Sequence, residues 1–175
     1  MDNMIQTGFL CGMAAACFLV ILLKKLVYKG SLFKCRYDER QQLVRGRGFQ
    51  YGFFGWIFFT AGYIVLDTGF GKRYLDTSMA LFLGLMIGAV IYASYAIWHE
   101  GYFSLNIYPK RFMGVMTAVT VLNIICSVHF IFEGELCRDG MLTFFGGSNL
   151  VCAAASLAVL FVLAAKYGYD HRKAE

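Results

Sequence analysis

The sequence predicts an all-α integral membrane protein, a bundle of five transmembrane helices. Hydrophobic residues make up 59% of the chain and charged residues only 15%, which is unusual for a soluble domain. Five separate apolar stretches each contain roughly 18 to 23 residues, enough for a helix to cross a hydrocarbon core of about 30 Å. The loops between them are short, and their content of Lys and Arg alternates from rich to poor.

The five predicted spans occupy approximately residues 4–23, 49–66, 78–98, 112–132 and 143–165. Together they leave one sizeable polar segment, the basic connection 24–48, so residues 1–175 are expected to form a single transmembrane domain. Its first span follows an acidic N-terminus and precedes the positive charges, which is typical of an anchor rather than of a cleaved signal peptide.

Two helix starts carry local signals. Asp76, Thr77 and Ser78 are alternative N-caps for the third span. Pro109 precedes the fourth span and suits a first helical turn, because its fixed φ is helical and its missing N–H has no partner there.

The distribution of Lys and Arg predicts the orientation. One side holds Lys24, Lys25, Lys29, Lys34, Arg36, Arg40, Arg45, Arg47, Lys110, Arg111, Lys166, Arg172 and Lys173, and the other holds Lys72, Arg73 and Arg138. Because cytoplasmic loops carry the excess of positive charge, we expect the N-terminus outside and the C-terminus in the cytoplasm. The expected location is the cytoplasmic membrane, as a multi-pass protein.

A short interfacial helix is predicted between spans one and two. Asp38 with Gln41 forms a capping-box pattern, and the helix is expected to run from Glu39 to about Arg45 and to end at Gly46 or Gly48. Arg36, Arg40 and Arg47 share one stripe of this segment, with Arg45 beside it. These four arginines are the predicted lipid- or partner-binding residues, facing either anionic headgroups of the inner leaflet or an acidic cytoplasmic protein.

Two motifs give the chain a resemblance. The run Asp38-Glu39-Arg40-Gln41 is followed by VRGRGFQYGFF at 44–54, and GYFSLN at 101–106 is followed by PKRF at 109–112. This pattern resembles a family of small bacterial multi-span membrane proteins with an acidic-Arg-Gln motif before the second helix, and it covers about thirty residues. The family has no established activity to transfer. Its members are often encoded near small helix-turn-helix regulators, so the resemblance implies a sensory or regulatory pairing.

Polar residues inside the predicted spans are the candidates for a ligand site. Burying a polar side chain in hydrocarbon costs free energy unless the side chain is paired or hydrated. Thr120, Asn123 and Ser127 share one face of the fourth span, and Tyr92 and Tyr95 share one face of the third. Either these residues line a cavity, or they hydrogen-bond across helices as packing contacts. The predicted ligand-binding set is Tyr92, Tyr95, Thr120, Asn123 and His129.

Charged residues at the span ends suggest two groupings. His129, Glu133 and Asp67 lie near the outer boundary, where convergence would form a proton or cation site. Glu100 ends the third span on the inner side and is expected to pair with Arg45 or Arg47.

Small residues define faces that allow close helix approach. Gly8 and Gly12 lie on the first span, and Gly84 and Gly88 lie on the third. These faces pack either within one bundle or between two copies of the chain. Of the six cysteines, Cys137 stands in a short external loop as a free thiol or an intermolecular crosslink.

No phosphate-binding loop, catalytic triad order or zinc motif is present in the sequence, and the basic segment has a membrane explanation before a nucleic-acid one. We therefore expect a non-enzymatic accessory or regulatory membrane protein without metal or cofactor, which binds anionic lipid or a protein partner but no nucleic acid. The alternative is a protein that binds or transports a small amphiphile or lipid in a pocket between spans three and four.

Overall fold

A computed structural model describes residues 21–22, 37–70, 73–103 and 108–174. Within these ranges the structure contains four long helices and one small hairpin. They are α1 (Glu39–Phe70), α2 (Thr77–Trp98), α3 (Pro109–Phe132), β1 (Cys137–Arg138), β2 (Met141–Leu142) and α4 (Phe144–Ala174).

Backbone contacts divide the chain into two units. The larger unit comprises Tyr37–Tyr102 and Met116–Glu175, and the described residues of the other unit are 21–22, Phe103 and 108–115. In the smaller unit, Phe103 packs edge-to-face on Phe112 at 5.4 Å, and Pro109 is the first residue of α3, as its position in the sequence predicts.

The prediction of long apolar helices is confirmed for the described part of the chain. All four helices there are long and apolar enough to cross a membrane. Of the predicted first span, only Ile21 and Leu22 are described, and both are helical and exposed. The remainder of that span, with Gly8 and Gly12, lies outside the described residues, as does Arg36.

The predicted interfacial helix is wrong as a separate element. Its start is right: the Asp38 carboxylate accepts a hydrogen bond from the Gln41 backbone N–H at 2.6 Å, and the Asp38 backbone N–H donates to the Gln41 side-chain oxygen Oε1 at 3.4 Å. The helix then continues through Gly46 and Gly48 into the apolar stretch, so α1 is 32 residues long. A glycine inside a helix is less favourable than an alanine by only about 1 kcal/mol, and tertiary packing offsets this cost here.

That packing joins α1 to α2 through facing glycines. A Cβ on Gly52 would lie 2.6 Å from the Gly88 carbonyl oxygen, and one on Gly88 would lie 2.7 Å from the Gly52 oxygen. One turn along in each direction, Gly48 faces Tyr92 and Gly84 faces Trp56. The two backbones are therefore in direct contact, which only glycine permits. Gly84 and Gly88 thus pack within the chain.

The opposite face of α2 packs against α4. Met79 and Ala96 of α2 and Leu163 of α4 are almost fully buried there. Helix α3 is joined to α4 by a hydrogen bond of 2.8 Å from the Thr120 hydroxyl to that of Ser156.

The hairpin ties the N-termini of α2 and α4 together. Asp76 is the N-cap of α2, and one carboxylate oxygen accepts the Met79 N–H at 2.6 Å. The other oxygen accepts the N–H of Phe144, the first residue of α4, at 2.7 Å. The Asp76 N–H donates to the Leu142 carbonyl oxygen and the Leu142 N–H donates to the Tyr74 carbonyl oxygen, which attaches this cap to β2. One carboxylate therefore serves the positive ends of two helix dipoles.

Replacing Gly52 with alanine should destabilise the protein by about 1–3 kcal/mol, because the added methyl group would meet the Gly88 carbonyl and separate the helices. The measurement is the free energy of unfolding in mixed micelles. Gly62→Ala is the matched control on the same helix. No atom of the described residues lies within 4 Å of its Cβ position, so this variant should gain up to about 1 kcal/mol from helix propensity. Equal stability of the two variants would contradict the close contact.

Candidate functional site

The candidate site lies at the basic end of the larger unit, where the first turns of α1, the C-terminus of α2 and the last third of α4 meet. Glu100 connects these three helices. Its carboxylate is 3.7 Å from Arg40 of α1 and 3.3 Å from Lys166 of α4, and Lys166 also contacts Asp170 at 2.8 Å. Glu100 therefore pairs with these cations rather than with Arg45 or Arg47.

Backbone geometry holds Glu100 in this position. Its φ is +62°, a conformation that favours glycine, and the next residue closes the helix with a bond from the Gly101 N–H to the Ala96 oxygen at 2.8 Å. The Gln41 side chain donates to the Glu100 carbonyl oxygen at 3.2 Å. The end of α2 is thereby fixed to the capping box of α1.

Arg45 is held by aromatic rings instead of by a carboxylate. Its guanidinium lies 4.1 Å from the centre of the Tyr37 ring and 5.9 Å from that of Tyr92, distances typical of cation–π contacts. Tyr102 is close by, and burial, followed by the neighbouring phenols Tyr92 and Tyr37, raises its pKa to about 12. Tyr102 is therefore neutral at physiological pH and does not compensate the charge of Arg45.

The other predicted arginines of α1 are exposed. The Arg40 side chain is 73% accessible despite its pairing with Glu100, and Arg47 is exposed two residues before the apolar stretch. Among the described residues, neither Arg45 nor Arg47 has a carboxylate within 4.0 Å.

An apolar groove of about 380 Å³ lies between α1 and α2, directly beyond Arg45. Phe49 and Tyr92 line the end nearest Arg45, and Trp56 lines the far end. Its remaining residues are Gly52, Phe53, Leu85, Gly88 and Ala89. The groove exists because the glycines bring the two backbones together while the larger side chains stand on either side.

The predicted ligand-binding residues are divided between two interfaces. Tyr92 and Tyr95 face α1: both contact the Cβ position of Gly48, and the Tyr95 ring is 5.0 Å from that of Tyr51. Thr120 faces α4 instead and bonds to Ser156. The structure therefore does not bring the tyrosines and Thr120 to one site.

Asn123 and His129 have local partners. The Asn123 amide donates to the Val119 carbonyl of its own helix at 2.8 Å. His129 is exposed and lies 3.3 Å from Glu133, one turn away. Asp67 pairs with Arg73 at 3.1 Å instead of joining them. In the described ranges, no three His, Cys, Asp or Glu side chains lie close enough together to hold a metal ion.

Two buried polar atoms have no hydrogen-bond partner in the described part of the chain. They are Trp56 Nε1 and Thr60 Oγ1, one turn apart on α1. A buried hydroxyl without a partner carries its full desolvation penalty, whereas a methyl group in the same place carries none.

We expect Thr60→Val to stabilise the protein by roughly 1 kcal/mol, because it removes an unsatisfied hydroxyl at nearly constant volume. The matched variant Thr120→Val removes the bond to Ser156 and should destabilise by roughly 0.6–1.7 kcal/mol. Unfolding in mixed micelles measures both. If both variants lose stability equally, the Thr60 hydroxyl has a partner.

The groove residues on α1 were missed by sequence reasoning, although a signal for them exists. Gly48 and Gly52 repeat on α1 the four-residue spacing of Gly84 and Gly88, and two such faces predict direct helix contact. No family model, curated protein or solved structure matches the chain. The case for function therefore rests on the geometry of these residues.

Proposed function

We propose that this chain is a multi-pass protein of the bacterial cytoplasmic membrane. In this proposal it acts as a non-enzymatic accessory or regulatory protein that binds anionic headgroups of the inner leaflet through the basic first turns of α1. The observation that carries the proposal is the continuity of α1 through Gly46 and Gly48. A continuous helix holds its arginines at fixed distances from the apolar stretch along the helix axis. A flexible connection would not fix these distances.

The length of α1 supports this placement. Its 32 residues extend about 48 Å, while a hydrocarbon core of about 30 Å needs only some 20 of them. If the apolar stretch from Phe49 fills the core, the first ten residues project beyond it. Arg47 is then at the level of the headgroups, and Arg40 is about 10 Å further out.

The charges of the two ends support the inner-leaflet assignment. Among described residues, the hairpin end carries mainly acids: Asp67, Asp76, Glu133, Glu135 and Asp139, against Arg73 and Arg138. The basic end carries Arg40, Arg45, Arg47, Lys166, Arg172 and Lys173, against Asp38, Glu39, Glu100 and Asp170. By the positive-inside rule, which counts Lys and Arg, the basic end and the C-terminus face the cytoplasm. With the predicted first span, residues 4–23, the N-terminus is then external.

The alternative, an amphiphile pocket between the third and fourth predicted spans, gains no support from the geometry. Tyr92 and Tyr95 pack against α1, and Asn123 bonds within its own helix. A protein partner for the basic end, instead of lipid, would compete for the same exposed arginines.

The orientation predicts the reactivity of Cys137, which is exposed on the hairpin. In intact cells, a membrane-impermeant thiol reagent should label the wild type but not Cys137→Ser. A reporter fused after the C-terminus should be cytoplasmic. Labelling of Cys137 only after the cells are opened would invert the orientation and place the arginines at the outer leaflet.

Headgroup binding predicts that Arg40→Gln with Arg47→Gln lowers the enrichment of phosphatidylglycerol over phosphatidylcholine around the protein. Each arginine near an anionic surface contributes about 1 kcal/mol, so the loss from both should reach up to about thirtyfold and shrink at high salt. The measurement is mass spectrometry of lipid carried into polymer-bounded nanodiscs, relative to the bulk membrane.

The matched control is Arg73→Gln with Arg138→Gln, which removes the same charge from the hairpin end and should leave the enrichment unchanged. Equal enrichment for wild type and both double variants would refute headgroup binding by α1.

A further inference from the structure

We propose that Arg45 and the groove between α1 and α2 form a binding site for one anionic phospholipid. The phosphate would be bound by Arg45 and one acyl chain would lie in the groove. This inference rests on the proposed function, because it places the groove in the inner leaflet, and it adds a defined site to the general attraction of the surface arginines.

The guanidinium of Arg45 is prepared for a phosphate. The contacts with Tyr37 and Tyr92 engage it through the aromatic rings, and its N–H donors lie in the guanidinium plane. No carboxylate of the described residues uses these donors within 4.0 Å. A phosphate accepts two parallel bonds from such a fork, and the stacking reduces the entropy lost on binding.

The groove begins next to the position at which Arg45 would bind the phosphate. Phe49 is one turn beyond Arg45 on the same face of α1, and Tyr92, which lies under the guanidinium, also lines the groove. From Phe49, where the hydrocarbon core would begin, to Trp56 is seven residues, about 10 Å along the helix. The groove would therefore extend through about two thirds of the inner half of a hydrocarbon core of about 30 Å.

Its lining fits an acyl chain. The groove is almost entirely apolar, and Phe53, Leu85 and Ala89 on its rim are exposed on the outer surface of the helix pair. Such a surface is open to lipid rather than to water. The positive charge of Arg45 lies at just one end of the groove. This asymmetry favours an amphiphile with a single anionic head as the occupant and disfavours an uncharged helix.

The test is native mass spectrometry of the full-length protein from nanodiscs containing equal amounts of phosphatidylglycerol and phosphatidylcholine with the same chains. We expect one phosphatidylglycerol to stay bound under activation that removes phosphatidylcholine. Arg45→Gln should lower the retained fraction about fivefold. Ala89→Phe should do the same by filling the groove from an exposed position, without touching the charge.

Ala61→Phe adds the same ring to an exposed alanine of α1 outside the groove and should retain the lipid. Dihexanoyl phosphatidylglycerol and glycerol phosphate, which carry the head without long chains, should not be retained. Retention of these short compounds, equal retention of phosphatidylcholine, or unchanged retention in Ala89→Phe would overturn the site. The last result would also be expected if a protein segment fills the groove.

The two proposals fail separately. Arg40→Gln with Arg47→Gln should reduce the general enrichment of phosphatidylglycerol while the single retained lipid remains. Loss of enrichment in that variant, with no retained lipid in the wild type, would refute the site and leave the proposed function intact. Thermal unfolding of each variant identifies any change that comes from lost folding.

Discussion

The close contact between Gly52 and Gly88 sets the geometry of the basic end. Because neither residue has a Cβ, the carbonyl of each lies against the backbone of the other helix. This crossing places Tyr92 one turn away, under Arg45, and leaves a groove between the larger side chains that flank the glycines. Any residue larger than glycine at the crossing would separate α1 from α2 and remove both features.

Polar interactions at both ends of the bundle then stabilise the arrangement of helices that the glycine crossing sets up. At one end Asp76 caps α2 and accepts the first N–H of α4, and at the other Glu100 contacts cations of α1 and α4. The two carboxylates differ in what they contribute. Asp76 satisfies backbone donors that would otherwise have no partner. Glu100 forms one ion pair with the exposed Arg40, which stabilises by about 1 kcal/mol at most, and a second with Lys166, whose side chain is 14% exposed.

In this arrangement the arginines of α1 have different surroundings despite their similar place in the sequence. Arg40 forms an ion pair with Glu100, and the Arg45 guanidinium is stacked on tyrosine rings. Arg47 is exposed without an acidic neighbour in the described chain. A general attraction to anionic lipid suits Arg40 and Arg47, while Arg45 suits one oriented phosphate. The two proposals follow from this difference, since charge alone does not distinguish the three residues.

The sequence by itself determined the apolar helices of the described chain, the capping box at Asp38 and the start of α3 at Pro109, and it limited the N-cap of α2 to three residues, of which the structure uses Asp76. Each depends on hydropathy or on hydrogen bonds within a few residues. It did not determine that α1 continues through Gly46 and Gly48, that Glu100 pairs with Arg40 and Lys166, or that Tyr92 and Thr120 face different helices. Only the tertiary structure decided these features. Each of them depends on which neighbouring helix supplies the contact. That contact decides whether a helix continues through a glycine, which residue pairs with a charge and which helix a polar side chain faces.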